Sequence, residues 1–154
     1  MIKNSYYYDS PIGRLFLAES EGAITDVAFR PIEDSVEKNT PLLEQTAKML
    51  REYFDGKRKA FDLPISLIGT EFQKKAWNAL LAIPYGQTRS YKEQAVAIGN
   101  PKSCRAVGAA NGKNPISVIV PCHRVIGADG SPIGYGGGIG VKQALLDLEA
   151  RTMG

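Results

Sequence analysis

The sequence predicts an α+β protein: a small N-terminal α/β domain with antiparallel strands over residues 1–65, then a mostly helical C-terminal domain over 66–154. Three observations point there. Short β-rich runs broken by tight-turn signals fill residues 3–29. Helical spacing of apolar residues takes over beyond residue 40. A Lys/Arg-rich stretch, "GKRKAFDLPISLIG", separates the two patterns. A chain of 154 residues is long enough for one ordinary core or two small ones sharing an interface.

Within "KNSYYYDSPIGRLFLAESEGAITDVAF", the breaks "DSPIG" and "SEG" imply two or three antiparallel strands. "TPLLEQTAKMLREYFDG" follows with Leu42, Leu43, Ala47, Leu50 and Phe54 at helical spacing, Thr40 as cap and Gly56 as stop. A second helix runs from Thr70 to before Pro84, presenting Phe72, Ala76, Trp77, Leu80 and Leu81 on one face. Ser90, three residues ahead of Glu93, has the capping-box spacing and opens a third helix closed by Gly99. Asn100 as N-cap with Pro101 at the first helical position predicts a fourth, ending at Gly112. The third and fourth form a helix-turn-helix pattern, a weak signal by itself. An apolar, strand-like "ISVIV" precedes "PCHRVIG", a Gly-rich loop and a last helix.

Hydrophobic residues at 44% and charged residues at 23% describe a soluble globular protein rather than a disordered chain. No apolar run approaches the ~20 residues of a membrane span, and the N-terminus has no apolar signal core. A cytoplasmic protein with both thiols free is therefore expected. The net charge of +3 permits a polyanionic partner without demanding one. Its distribution says more: Lys74, Lys75, Arg89, Lys92, Lys102, Arg105 and Lys113 face only Glu93 between residues 74 and 113.

Cys122 and His123 pose the chemical question, since His123 is the sole histidine and Cys122 one of two cysteines. A structural zinc site wants about four Cys/His ligands, and the chain offers three, with Cys104 far away in sequence. A cysteine hydrolase would use His123 as base. Adjacent strand residues point to opposite faces, however, so direct contact needs the chain to leave the strand, which Pro121 would promote, or a bridging water. The plainest alternative is a buried free cysteine beside a surface histidine. Against it stand the polar Cys-His-Arg run directly after an apolar segment and the Gly-rich loop beyond, where backbone can approach a ligand closely.

"IVPCHRVIG" resembles the active-site signature of the O6-alkylguanine-DNA alkyltransferases, the methylated-DNA–protein-cysteine methyltransferases. "GTEFQKKAWNALLAIPYGQTRSY", "GNPKSCRAVGAANGKNP" and "GYGGG…K…LL..E" follow the family's order and spacing, so the likeness covers about Gly69 to Glu149. The resemblance implies a ribonuclease H-like N-terminal domain. It also implies direct DNA repair: O6-alkylguanine, and O4-alkylthymine, in duplex DNA is flipped out and its alkyl group passes to Cys122. The thioether has no hydrolytic route back, so each molecule acts once. His123 would draw off the thiol proton through a water, Glu149 would orient the imidazole, and Asn114 would tie the recognition helix to the active-site segment. Tyr91 would donate to the base's N3, the backbone carbonyls of Cys122 and Val125 would accept from its exocyclic amine, the amide of Gly136 would reach O6, and Tyr135 would wall the pocket.

By the same resemblance Arg105 would fill the gap left by the flipped base. Ser103 and Ala106 would let the helix lie close to DNA, and Asn100 with the first helical amides would meet phosphate. No cofactor and no metal are implied, and the partner is double-stranded DNA bound by a monomer. Gly136 stands where many members have serine or alanine, and Asn111 where an apolar residue is sometimes found. The competing reading is a non-catalytic lesion-binding or regulatory helix-turn-helix protein.

Overall fold

The computed structural model describes residues 2–128, 135 and 137–153, the last without its side chain. The chain divides into two compact units, Met1–Ile68 with Pro115–Ser117, and Gly69–Asn114 with Val118–Gly154.

In the first unit β1 (Lys3–Ser10), β2 (Gly13–Ser20) and β3 (Ala23–Ala28) form successive antiparallel hairpins. Glu21 and Gly22 link β2 to β3 with φ of 53° and 79°, as the two-residue type I′ turn that suits strand twist requires. Leu15 and Leu17 of β2 are buried, as are Leu43, Leu50 and Tyr53 of α1 (Pro41–Phe54). Each such side chain contributes about 1.5–3 kcal/mol by leaving water. Thr40 caps α1 by accepting from the Leu43 amide. The buried stripe is Leu43, Thr46, Met49, Leu50 and Tyr53, so Ala47 and Phe54 lie beside it rather than within it. Thr46 can turn inward because its hydroxyl donates to the Leu42 carbonyl at 2.8 Å, which removes the cost of burying it.

The sequence pattern does not announce β4 (Ser35–Glu37), which adds to β1 in parallel and gives the order β3-β2-β1-β4. Its three residues carry no alternating pattern; a backbone bond from Lys38 to Ser5 and a hydroxyl pair between Ser5 and Ser35 hold it. Ile65 and Ile116 bridge the outer edge of β3, so that edge does not stay open.

The second unit packs α2 (Glu71–Leu81), α3 (Tyr91–Ala97), α4 (Cys104–Gly112) and α5 (Ile139–Met153) around a two-stranded parallel pair, β5 (Arg89–Ser90) with β6 (Val125–Ile126). Capping boxes open α2 at Thr70 and α3 at Ser90. Trp77 of α2 is buried and its indole N–H donates to the Ala110 carbonyl at 2.8 Å, fixing α2 against α4. Gly69 is required here: a Cβ would stand 2.6 Å from the Trp77 ring. Asn111 finds its reason in Gln94 of α3, the two buried amides exchanging bonds of 2.8 and 2.9 Å across the helix pair.

Two sequence expectations are corrected. α4 begins at Cys104, so Asn100 is not its N-cap; Asn100 instead closes a preceding turn, its carbonyl accepting from the Ser103 amide and hydroxyl. "ISVIV" is not a strand. After the Ile116 bridge the chain turns, with Val118 at φ 71°, a conformation that a β-branched residue rarely adopts. Ser117 still bonds the Val27 carbonyl at the bridge, but Val118, Ile119 and Val120 are buried in turns and bends rather than in a strand ladder.

Candidate active site

Cys122, His123 and Arg124 form a 3₁₀ turn entered from Pro121, closed by the Arg124 amide on the Pro121 carbonyl. The objection from strand geometry disappears, since successive side chains now diverge by about 120° rather than 180°. The turn leads directly into β6, whose pairing with β5 sets Arg89 opposite Val125 and Ser90 opposite Ile126. Tyr91, the first residue of α3, is thereby held beside the cysteine segment, and burial, with the nearby Cys122, pushes the pKa of its hydroxyl up.

His123 is fully buried and its Nε2 lies 2.7 Å from Glu149 Oε2. Glu149, on α5, is 1% exposed and also accepts from Arg124 Nε at 2.8 Å, Arg124 Nη2 at 3.0 Å and the Gly86 amide at 3.1 Å. A carboxylate so surrounded can only accept, so the hydrogen of the His123–Glu149 bond belongs to Nε2. That tautomer leaves a lone pair on Nδ1, a buried atom with no partner among the described residues. Burial pushes the imidazole below its usual range, with Arg124 and Lys142 acting the same way and Glu149 opposing. Burial thus favours the neutral form of the ring.

Cys122 retains 9% of its surface. Burial raises its thiol, while a hydrogen bond from Asn114 and the charge of Lys142 pull the other way. Asn114 also donates from Nδ2 to the Val120 carbonyl at 2.8 Å, and so spans the turn ahead of the cysteine. Lys142 of α5 is 1% exposed, its ammonium donating to the Val125 carbonyl and lying 6.0 Å from the Tyr91 ring centre. Sequence reasoning missed Arg124 and Lys142 as members of the site. The first stood in the quoted motif; the second sat at a fixed spacing before Glu149, and only burial distinguishes it from a surface lysine.

Thus Cys122, His123, Asn114, Glu149, Val125 and Tyr91 come together. Tyr135 is half-buried, while Gly136 lies outside the described residues. Arg105 and Ala106 are exposed on α4, Ser103 is half-buried at its start and Asn100 exposed before it. Ser103 makes no side-chain cap. Gly108 turns inward, where a Cβ would meet the Tyr91 ring at 3.7 Å. Among the described residues no group of three or more Cys, His, Asp or Glu could hold a metal, and no helix is long and apolar enough to cross a membrane.

Residues 71–151 match the DNA-binding domain of the 6-O-methylguanine DNA methyltransferases and residues 4–67 their ribonuclease-like domain. The chain belongs to this family. A methylated-DNA–protein-cysteine methyltransferase of Methanosarcina barkeri is 46% identical over 96% of this chain and 99% of its own. One of Mycobacterium tuberculosis is 51% identical over 92% and 88%. The crystal structure of the M. tuberculosis O6-methylguanine methyltransferase superposes with a TM-score of 0.86 at 45% identity, covering 98% of this chain and 93% of that one. The same organism's protein in complex with DNA gives 0.88 at 46%, covering 99% and 94%. The family's activity, transfer of a methyl group from DNA to a protein cysteine, is the activity of this chain, and the non-catalytic alternative is not favoured.

Proposed function

We propose that Cys122 accepts the alkyl group of O6-alkylguanine, and by the same attack that of O4-alkylthymine, from duplex DNA bound by a monomer. The observation that carries this is the bare, buried Nδ1 of His123, one residue from the only buried thiol among the described residues, with Nε2 committed to Glu149. The thiol proton passes through a bridging water to Nδ1. The sulfur lone pair then forms the S–C bond as the C–O6 bond breaks, and its electrons leave on the guanine, whose N3 accepts a hydrogen bond from the Tyr91 hydroxyl; the thiol proton, returned from the imidazolium through the water, neutralises the departing base. General-base assistance of this kind is worth about 10²–10⁴ in rate. Glu149 balances the imidazolium formed on the way.

The exposed side of α4, with Arg105 on it and Lys102 and Lys113 just beyond its two ends, meets the DNA. Arg105 is exposed on it, as are the small Ala106 and Ala109, and it fills the gap left by the flipped base. The Val125 carbonyl, and the amide of Gly136 by family resemblance, hold the everted base. Two free cysteines accord with a cytoplasmic setting.

The test is the mass of the intact protein after incubation with duplex DNA carrying O6-methylguanine. A gain of one methyl is expected, abolished by Cys122→Ser and kept by Cys104→Ser. Loss of the gain in Cys104→Ser, or turnover beyond one methyl per chain, would overturn the assignment.

A further inference from the structure

The Arg124–Glu149 pair is more than a brace. The guanidinium meets the carboxylate through two nitrogens, at 2.8 and 3.0 Å, and its third donates to the Ile83 carbonyl at 2.8 Å. Arg124 is 7% exposed and sits 5.6 Å from the Tyr85 ring centre, so the fork is fixed from several sides. Glu149 therefore serves two cationic or potentially cationic partners with one negative charge.

We infer that Arg124 is a positioning residue that claims the charge of Glu149, so that the carboxylate orients His123 without drawing a second proton onto it. This rests on the reading of His123 as the base. A buried His–carboxylate pair alone tends to take up a proton near neutrality, because the carboxylate favours imidazolium. Here the arginine supplies the positive charge in advance. The groups around the imidazole are Glu149 and Lys142 from α5, Cys122 and Arg124 from its own turn, and beyond Glu149 the Gly86 amide and Tyr85. Burial is the largest influence holding His123 low, and Arg124 adds to it against the pull of Glu149. Without Arg124 the balance moves toward the protonated pair. Held as imidazolium with carboxylate, or with the carboxyl donating to Nε2, either arrangement leaves Nδ1 carrying hydrogen and unable to act as base.

The single histidine makes this readable, since ¹⁵N NMR of selectively labelled protein reports one imidazole. In the unaltered protein Nδ1 is expected bare at pH 7 and Nε2 protonated. In Arg124→Met, Nδ1 is expected to carry hydrogen at pH 7. Methyl transfer there should fall tenfold or more and recover as pH rises, about a factor of ten for each unit by which the titration has moved. Arg124→Lys keeps a charge but not the fork, and should titrate between the two. A transfer rate that drops equally at every pH, with the imidazole titrating as before, would make Arg124 a scaffold only. An imidazolium at pH 7 in the unaltered protein would also overturn the inference, and that reading needs no variant to fold. Failure of Cys122 to gain a methyl at any pH would instead refute the proposed function, leaving the NMR result standing on its own.

Discussion

The second unit keeps the groups proposed to act on DNA in two opposite ways. Along α4, Arg105 and Ala106 stand in solvent at the start of a helix that has no side-chain cap. In the 3₁₀ turn and on α5, His123, Arg124, Lys142 and Glu149 are all nearly or fully buried and bonded to one another or to backbone. The first arrangement suits a surface that must conform to a large polyanion. The second suits a reaction needing one proton held at one atom. Exposed groups can be changed at little cost to folding, whereas buried charges carry stability and chemistry together.

That contrast is most exposed to Glu149→Ala. Removing the carboxylate strands a buried guanidinium and deprives the imidazole of its orienting partner. We expect about 3–5 kcal/mol of lost stability by chemical denaturation, and a fall in methyl transfer of about a hundredfold or more in whatever remains folded. An unchanged denaturation midpoint would show that Arg124 and His123 are satisfied without it.

Acid should strike the same cluster. The folded imidazole is held below its usual range, so between that depressed value and about pH 6.5 the unfolded chain binds the additional proton. Stability then rises with pH through this window and is lost as pH falls through it. A series of melting temperatures should show the decline below about pH 6.5, and His123→Gln should flatten it.

Arg105→Ala should behave in the reverse manner. Stability should stay within about 0.5 kcal/mol, while repair of duplex DNA slows on the order of tenfold, as expected when part of the few-kcal/mol cost of flipping is no longer offset. Reaction with a free alkylguanine base should be unaffected. Equal slowing of both substrates would remove Arg105 from the flipping step.

The smallest effects separate the two helix starts of the helix-turn-helix. Ser90→Ala deletes half of a capping box and should cost about 1 kcal/mol, measurable in the denaturant midpoint. Ser103→Ala deletes no cap bond and should cost less than about 0.5 kcal/mol. A full cap penalty at Ser103 would mean α4 begins with a capped turn after all.

Much of this is legible in the sequence. Thr40, Thr70 and Ser90 cap their helices because a short polar side chain three residues ahead of an open amide is a local arrangement, decided within one turn of chain. The Cys-His pair and Glu149 were legible through their motif. The α4 start was misread because Asn-Pro satisfies a cap rule on paper while Asn100 spends its carbonyl on a turn. "ISVIV" was misread because a short buried apolar run has no periodicity that tells a strand from a packed turn.

By itself, then, the sequence determined the order of the helices, the helix boundaries set by local caps, the basic segment, and the family motif that carries Cys122 and His123. Those depend on residues near one another in the chain. The tertiary structure alone decided that Cys122–Arg124 is a 3₁₀ turn, that Arg124 and Lys142 are buried beside the thiol, and which imidazole nitrogen is bare. Each of these depends on a partner roughly twenty or more residues away or on exclusion from water, and neither distance nor burial is written in local spacing.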